Sequence, residues 1–221
     1  MRFDIITVFP HILDSYFGEA IIKRGVKSGK IEIFPHDLRD FTHDKHRTTD
    51  DTPYGGGAGM LMKIEPIAEC LDEIIKKSPF ERKEILILIM SAKGKLFDSE
   101  KAEKWAKKFS QIIIICGRYE GVDERVVKHL VDQEISIGNY VLSGGELGAG
   151  IVVDAVSRFV PGVLGNPASL AEESHNSQAL EYPQYTRPPI FRGWKVPKIL
   201  LSGDHQAIAE WRGKKIKNFH S

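Results

Sequence analysis

An α/β fold with a mainly parallel sheet and helices on both faces is what the sequence predicts, on three observations. Short apolar runs alternate with segments of helical periodicity, the pattern of parallel strands joined by helices. Two of the runs, EILILIM (residues 84–90) and QIIIIC (residues 111–116), are apolar without alternation, as strands covered on both faces must be. Glycines follow the runs directly, where a strand has to turn into a loop.

The expected strands cover residues 3–9, 84–90, 111–116 and, less strongly patterned, 131–137. Helical patterns occupy 64–77, 98–109 with Asp98 or Ser99 as cap, 123–130 and 146–159. Residues 36–59, HDLRDFTHDKHRTTDDTPYGGGAG, read as a long uncovered loop, and loops of that length are functional or disordered. A stretch rich in Ser, Asn, Glu and Pro from 161 to 189 leads into a small helical C-terminal unit, whose helix spans 204–215 with Asp204 or Ser202 as cap.

With 221 residues, 42% hydrophobic and 28% charged, the chain fits one large domain or two unequal ones. A formal charge of +1 argues neither for nor against a polyanionic partner. No apolar run approaches the roughly 18 residues of a membrane span, and the opening MRFDIITVFP has an aspartate and a proline where a signal peptide is apolar. A cytoplasmic protein with no membrane partner is expected. Cys70 and Cys116 lack CxxC spacing, which argues against a disulfide or a zinc site.

In an open parallel sheet, ligands collect at the carboxyl edge of the strands. Three loops are expected there: 91–96 (SAKGKL), 117–123 (GRYEGVD) and 138–146 (GNYVLSGGE). Any one of them can be a plain tight turn, but together they make a cleft lined by main chain. The third carries Tyr140, Val141 and Leu142, apolar side chains suited to a flat aromatic ligand such as adenine. Neither GxxxxGK[ST] nor a GxGxxG after the first strand occurs, which removes support for a P-loop nucleotidase and a Rossmann dehydrogenase. Ser143 lacks the glycine two residues earlier that a nucleophile elbow requires. His43 and His46 have metal-ligand spacing, yet Lys45 and Arg47 beside them favour a loop that contacts a polynucleotide.

Six motifs in order, DDTPYGGGAGM (50–60), CGRYEGVDERV (116–126), SIGNYVLSGGEL (136–147), DAVSRFVPGVLGN (154–166), YPQYTRP (182–188) and PKILLSGDHQAIAEWR (197–212), span nearly the whole chain. In this combination the sequence closely resembles the tRNA (guanine-N1)-methyltransferase family, TrmD. The resemblance implies methyl transfer from S-adenosylmethionine to N1 of the guanine immediately 3′ of the anticodon. It implies a SPOUT-type trefoil-knotted methyltransferase domain over 1–160, a linker over 161–185 and a small helical tRNA-binding domain over 186–221. A cytoplasmic homodimer acting on tRNA and not on DNA follows, with magnesium kept as a candidate auxiliary ion.

Matched motif by motif, the resemblance puts the cofactor against Met90, Ser91, Gly117, Glu120, Ile137, Gly138, Asn139, Tyr140, Val141, Leu142, Gly144 and Gly145. Substrate contacts fall on His46, Asp50, Tyr54, Gly59 and Arg187. No metal ligands are implied. Arg158 matches the arginine associated with catalysis, although by spacing alone it reads as a helix-end partner of Asp154 at i−4. The expected Asp-Ser-Phe of the linker is replaced by Ala171-Glu-Glu-Ser-His175, which puts Glu173 at the general base and leaves Glu172 as the alternative. SAKG stands where Ser-Pro-Gln-Gly is usual, and Asn139 where an aspartate is frequent.

Overall fold

The computed structural model describes residues 1–164, 179–180, 182–215 and 217–218, and its contacts divide the chain into Met1–Gly165 and Asn166–Ser221. The first unit opens with β1 (Arg2–Thr7), α1 (Asp14–Phe17), α2 (Ala20–Lys27) and β2 (Glu32–Asp37). The short antiparallel pair β3 (Asp50–Asp51) and β4 (Leu61–Met62) precedes α3 (Ile64–Lys77) and β5 (Ile85–Leu96). Then come α4 (Ser99–Lys108), β6 (Gln111–Cys116), α5 (Glu124–His129), β7 (Gln133–Ser136) and α6 (Glu146–Arg158).

Five strands form one sheet in the order β2-β1-β6-β5-β7, with every neighbouring pair parallel. The absence of alternation in β5 and β6 has a direct cause, because successive residues feed two different cores. Leu86, Leu88, Ile112 and Ile114 pack with Trp105 of α4 and with Ala149, Val152, Val153 and Val156 of α6. Ile85, Ile87, Ile113 and Ile115 pack with Ile67, Cys70, Leu71 and Ile74 of α3 and with Val126 of α5. Of these helices, α3 and α6 each present an i, i+3, i+4, i+7 stripe to the sheet. Asp98 caps α4, its carboxylate accepting the Lys101 N–H at 2.8 Å.

Three expectations need correction. Residues 91–96 are not a loop: β5 runs on to Leu96, and the chain bulges so that Met90 and Lys95 both pair with Ile135. Gly94 lies flat on the neighbouring strand there, since a Cβ would come 2.5 Å from the Ile135 nitrogen. Residues 36–59 are not one uncovered loop, because β2 reaches Asp37, a 3-10 turn follows over Leu38–Phe41, and Leu38 and Thr49 are fully buried. The C-terminal unit is not purely helical. It contains β8 (Ala179–Leu180), β9 (Ile190–Phe191), β10 (Trp194–Lys195), α7 (His205–Lys215) and β11 (Lys217–Asn218). β9 and β10 form a hairpin through Arg192 and Gly193, both at positive φ as a two-residue turn demands, and β8 pairs with β11. Asp204 caps α7 through the Gln206 and Ala207 N–H groups.

Asp4 ties three strands together from a fully buried position on β1. It accepts hydrogen bonds from Arg2 at 2.8 Å, from His36 of β2 at 2.8 Å and from Gln111 of β6 at 2.7 Å. Burial opposes its ionisation, but the bonds from His36, Arg2 and Gln111 outweigh that and hold its carboxyl below the usual range. A lowered folded-state pKa stabilises the protein above the unfolded value of about 3.9, and this share is lost as pH falls through the folded value. Asp4→Asn is therefore expected to cost about 1–3 kcal/mol at neutral pH and to flatten the acid limb of stability, read as urea midpoints from neutral to strongly acidic pH.

Candidate active site

The carboxyl ends of β6, β5 and β7, adjacent in the sheet, surround a cavity of about 400 Å³, within the range of small-molecule sites. Three segments supply most of its lining: the bulge of β5 (Met90, Ser91, Ala92 and Lys93), the loop after β6 (residues 117–122) and the loop after β7. Met90, Ser91, Gly117, Glu120, Ile137, Gly138, Tyr140, Val141, Leu142, Gly144 and Gly145 all face it. Asn139 lies in the same loop without lining the cavity.

The loop after β7 is shaped by its own polar groups. Gly138 takes φ of +154°, and the Tyr140 ring occupies the space a Cβ there would need. The Tyr140 hydroxyl donates to the Ile137 carbonyl at 3.0 Å, and the Ser136 hydroxyl to the Gly138 carbonyl at 3.0 Å. The turn leaves Val141 84% exposed, with Tyr140 and Leu142 also open to solvent, a surface that an apolar ligand would cover. At the loop's end the Gly145 N–H donates to the Gly117 carbonyl at 2.9 Å, joining the β7 loop to the β6 loop.

A second joint connects the glycine-rich segment to the same wall. Glu120 N–H donates to Met60 O at 3.1 Å, and Met62 N–H to Gly121 O at 3.0 Å. Gly59, at φ +83°, rests against Glu120, where a Cβ would come 2.8 Å from Oε1. Asp50 sits at the base of this excursion, paired with Met62 in β3–β4, and Tyr54 is fully exposed at its tip. His46 lies in the preceding exposed turn, its N–H donating to Asp44. Of these four, Gly59 packs against a residue that lines the cavity.

The other expected substrate and catalytic residues are Arg187, Arg158 and Glu173, with Glu172 as the alternative base. Arg187 is exposed in the second unit. Arg158 is half-buried in the last turn of α6, and 12 residues at about 1.5 Å each put it about 18 Å along the helix from the cavity-side end. Nearby, Asp154 accepts the Tyr16 hydroxyl at 2.6 Å. Glu172 and Glu173 lie outside the described residues.

Lys93, from the SAKG that stands in place of Ser-Pro-Gln-Gly, lines the cavity too, and so do Arg118, Tyr119, Glu124 and Glu134, which were not singled out by the sequence. Tyr119 has a left-handed φ of +58°, a local strain of the kind found at ligand sites. Lys93 Nζ lies 3.1 Å from Glu124 and 3.9 Å from Glu134, whose buried Oε1 has no hydrogen-bond partner. Arg118 is committed to Glu146 at 2.9 Å. The carboxylates of Glu120, Glu124 and Glu134 thus face one available ammonium, and the wall favours a cationic ligand.

Cys116 ends β6 beside the cavity but is no nucleophile, because burial, with Glu146 nearby, pushes its thiol well above the ordinary value. Burial likewise pushes the Cys70 thiol up to about 12. Both cysteines are free. Among the described residues no group of three or more His, Cys, Asp or Glu side chains is arranged for a metal, and no helix is long and apolar enough to cross a membrane. His43 is engaged with Glu69 at 2.8 Å.

Comparison with known proteins gives a consistent picture. The family profile described as "tRNA (Guanine-1)-methyltransferase TrmD" matches residues 1–219. A tRNA (guanine-N(1)-)-methyltransferase of Thermomicrobium roseum is 55% identical over 212 residues, covering 96% of this chain and 77% of the relative. Proteins of the same name from Geotalea uraniireducens and Dehalococcoides mccartyi are 53% and 49% identical, covering 96% and 97% of this chain and 84% and 85% of theirs.

Proposed function

The chain belongs to the tRNA (guanine-1)-methyltransferase family TrmD, and from that premise we propose that the three-loop cavity binds S-adenosylmethionine for methylation of guanine N1 immediately 3′ of the anticodon. The protein is an enzyme of the methyltransferase class. The observation that carries the cofactor assignment is the cavity itself, which offers an exposed apolar platform at Tyr140, Val141 and Leu142 beside an acidic wall. An adenine suits the platform, and a sulfonium cation suits the wall. Gly144 and Gly145 have no Cβ to meet Arg118 and Cys116, so the loop after β7 can close against the loop after β6 and line the cavity with backbone.

The cofactor supplies a methyl group already activated as a sulfonium. The chain's own task is alignment and proton removal. In the proposed mechanism Glu173 accepts the N1 proton, and Arg158 donates hydrogen bonds to O6 as negative charge gathers there. Gly59, against Glu120, couples the glycine-rich loop that would meet the tRNA to the cofactor wall. His46, Asp50, Tyr54 and Arg187 complete the proposed tRNA contacts, with magnesium as a candidate auxiliary ion.

The placement of Arg158 favours a homodimer. Within one chain it stands about 18 Å along α6 from the cavity-side end. Leu147 and Ile151 are exposed on that helix, at 59% and 45%, and Phe9, Ile12 and Tyr16 are exposed as well. A second copy covering these apolar groups would bring its own Arg158 and Glu173 toward the cavity. The trefoil-knotted SPOUT arrangement and action in the cytoplasm belong to the same proposal and rest on the family.

The test is incubation with S-adenosylmethionine and an unmodified tRNA bearing guanine 3′ of the anticodon, followed by nucleoside mass spectrometry. Stoichiometric 1-methylguanosine is expected, with none from a transcript carrying adenine at that position. Continued methyl incorporation into the adenine transcript would exclude guanine N1 as the target.

A further inference from the structure

Arg118 and Glu146 form an ion pair on which four segments of the fold converge. Glu146 opens α6 and is 1% exposed. Arg118 Nε donates to its Oε1 at 3.0 Å, and Nη2 approaches Oε2 at 2.9 Å without hydrogen-bond alignment. The remaining donor, Nη1, goes to the carbonyl of Ser143 at 3.2 Å, inside the loop after β7. From the end of β1, the Thr7 hydroxyl donates to Glu146 Oε1 at 2.7 Å and accepts the Phe9 N–H at 3.0 Å. The guanidinium lies 4.7 Å from the Phe9 ring centroid, which gives it an apolar lid.

A carboxylate buried this deeply is costly unless it is paired and hydrogen-bonded. Glu146 therefore holds Arg118 in place, and Arg118 in turn holds Ser143. A Cβ on Gly144 would run into the guanidinium, so the glycine lets the loop close down on it. Gly145 then bonds to Gly117, one residue before Arg118.

We propose that Arg118 and Glu146 are positioning residues for the cofactor: the pair clasps the loop after β7 to the loop after β6 and keeps Tyr140, Val141 and Leu142 in the open arrangement that receives the adenosyl group. Neither side chain acts on the methyl group. The inference rests on the cofactor reading of this cavity and assigns these two residues their part in it.

Isothermal titration with S-adenosylmethionine, filter binding with tRNA and thermal melting are measured together on each variant. For Arg118→Ala the cofactor Kd rises about 10-fold or more while the tRNA Kd stays within about 3-fold, the loss expected of a charge-assisted contact removed on the cofactor side. Arg118→Lys gives an intermediate Kd, because one ammonium cannot serve Glu146 and the Ser143 carbonyl together. Glu146→Gln keeps the shape and the acceptor for Thr7 but frees Arg118, so it too weakens cofactor binding, and it reads the clasp even where Arg118→Ala does not fold. Combined with Arg118→Ala it adds little, as coupled residues do. Folded single variants with wild-type cofactor Kd overturn the clasp alone. Equal losses of cofactor and tRNA affinity, in step with melting temperature, overturn it in favour of a general structural role. A wild-type protein that gives no binding signal with S-adenosylmethionine overturns the cofactor reading and the clasp with it.

Discussion

Glu173→Gln is expected to lower single-turnover methylation by about 10²- to 10⁴-fold, the range of a lost general base, with cofactor affinity close to wild type. An amide keeps the size of the carboxylate but cannot accept the N1 proton. Glutamate reaches one C–C bond further than the aspartate usual at this place, about 1.5 Å, and catalytic alignment is sensitive on that scale. The neighbouring Glu172 is the natural alternative. A Glu173→Gln protein with full turnover, alongside an inactive Glu172→Gln protein, reassigns the base by one residue.

Gly145→Ala is expected to raise the cofactor Kd by about 100-fold and to destabilise the fold by about 1–3 kcal/mol through overpacking. A Cβ there falls 2.8 Å from the Cys116 Cα and 3.0 Å from both the Gly117 nitrogen and the Met90 Cβ. None of these is the far end of a flexible side chain, so the loop must lift instead. Lifting it breaks the 2.9 Å bond from Gly145 to Gly117 and opens the cavity floor. Titration calorimetry and a melting curve check both effects, and wild-type affinity in the variant would place the ligand elsewhere.

The sequence signals differ in kind. β5 and β6 were legible because a strand buried on both faces has to be apolar at every position. β2 was not, because it is a half-exposed edge strand carrying Pro35 and His36, with no alternation to read. Residues 91–96 looked like a loop because the bulge spends Ser91, Ala92, Lys93 and Gly94 outside the ladder with β7 before pairing resumes at Lys95. The glycines of the cavity were legible as turns after strands. Arg118 was not, since nothing near it in the chain reveals that its partner is a buried glutamate 28 residues later. Arg158 carried the opposite difficulty: its identity matched a motif, but only the length of α6 shows how far it stands from its own chain's cavity.

The most direct test of the account is a crystal structure with S-adenosylmethionine and a guanine-containing anticodon stem-loop bound. The account predicts the adenosyl group against Tyr140, Val141 and Leu142, with Arg158 and Glu173 of a second copy at the guanine. Cofactor density outside the three loops, or a guanine served by Arg158 and Glu173 of the same chain, would contradict it.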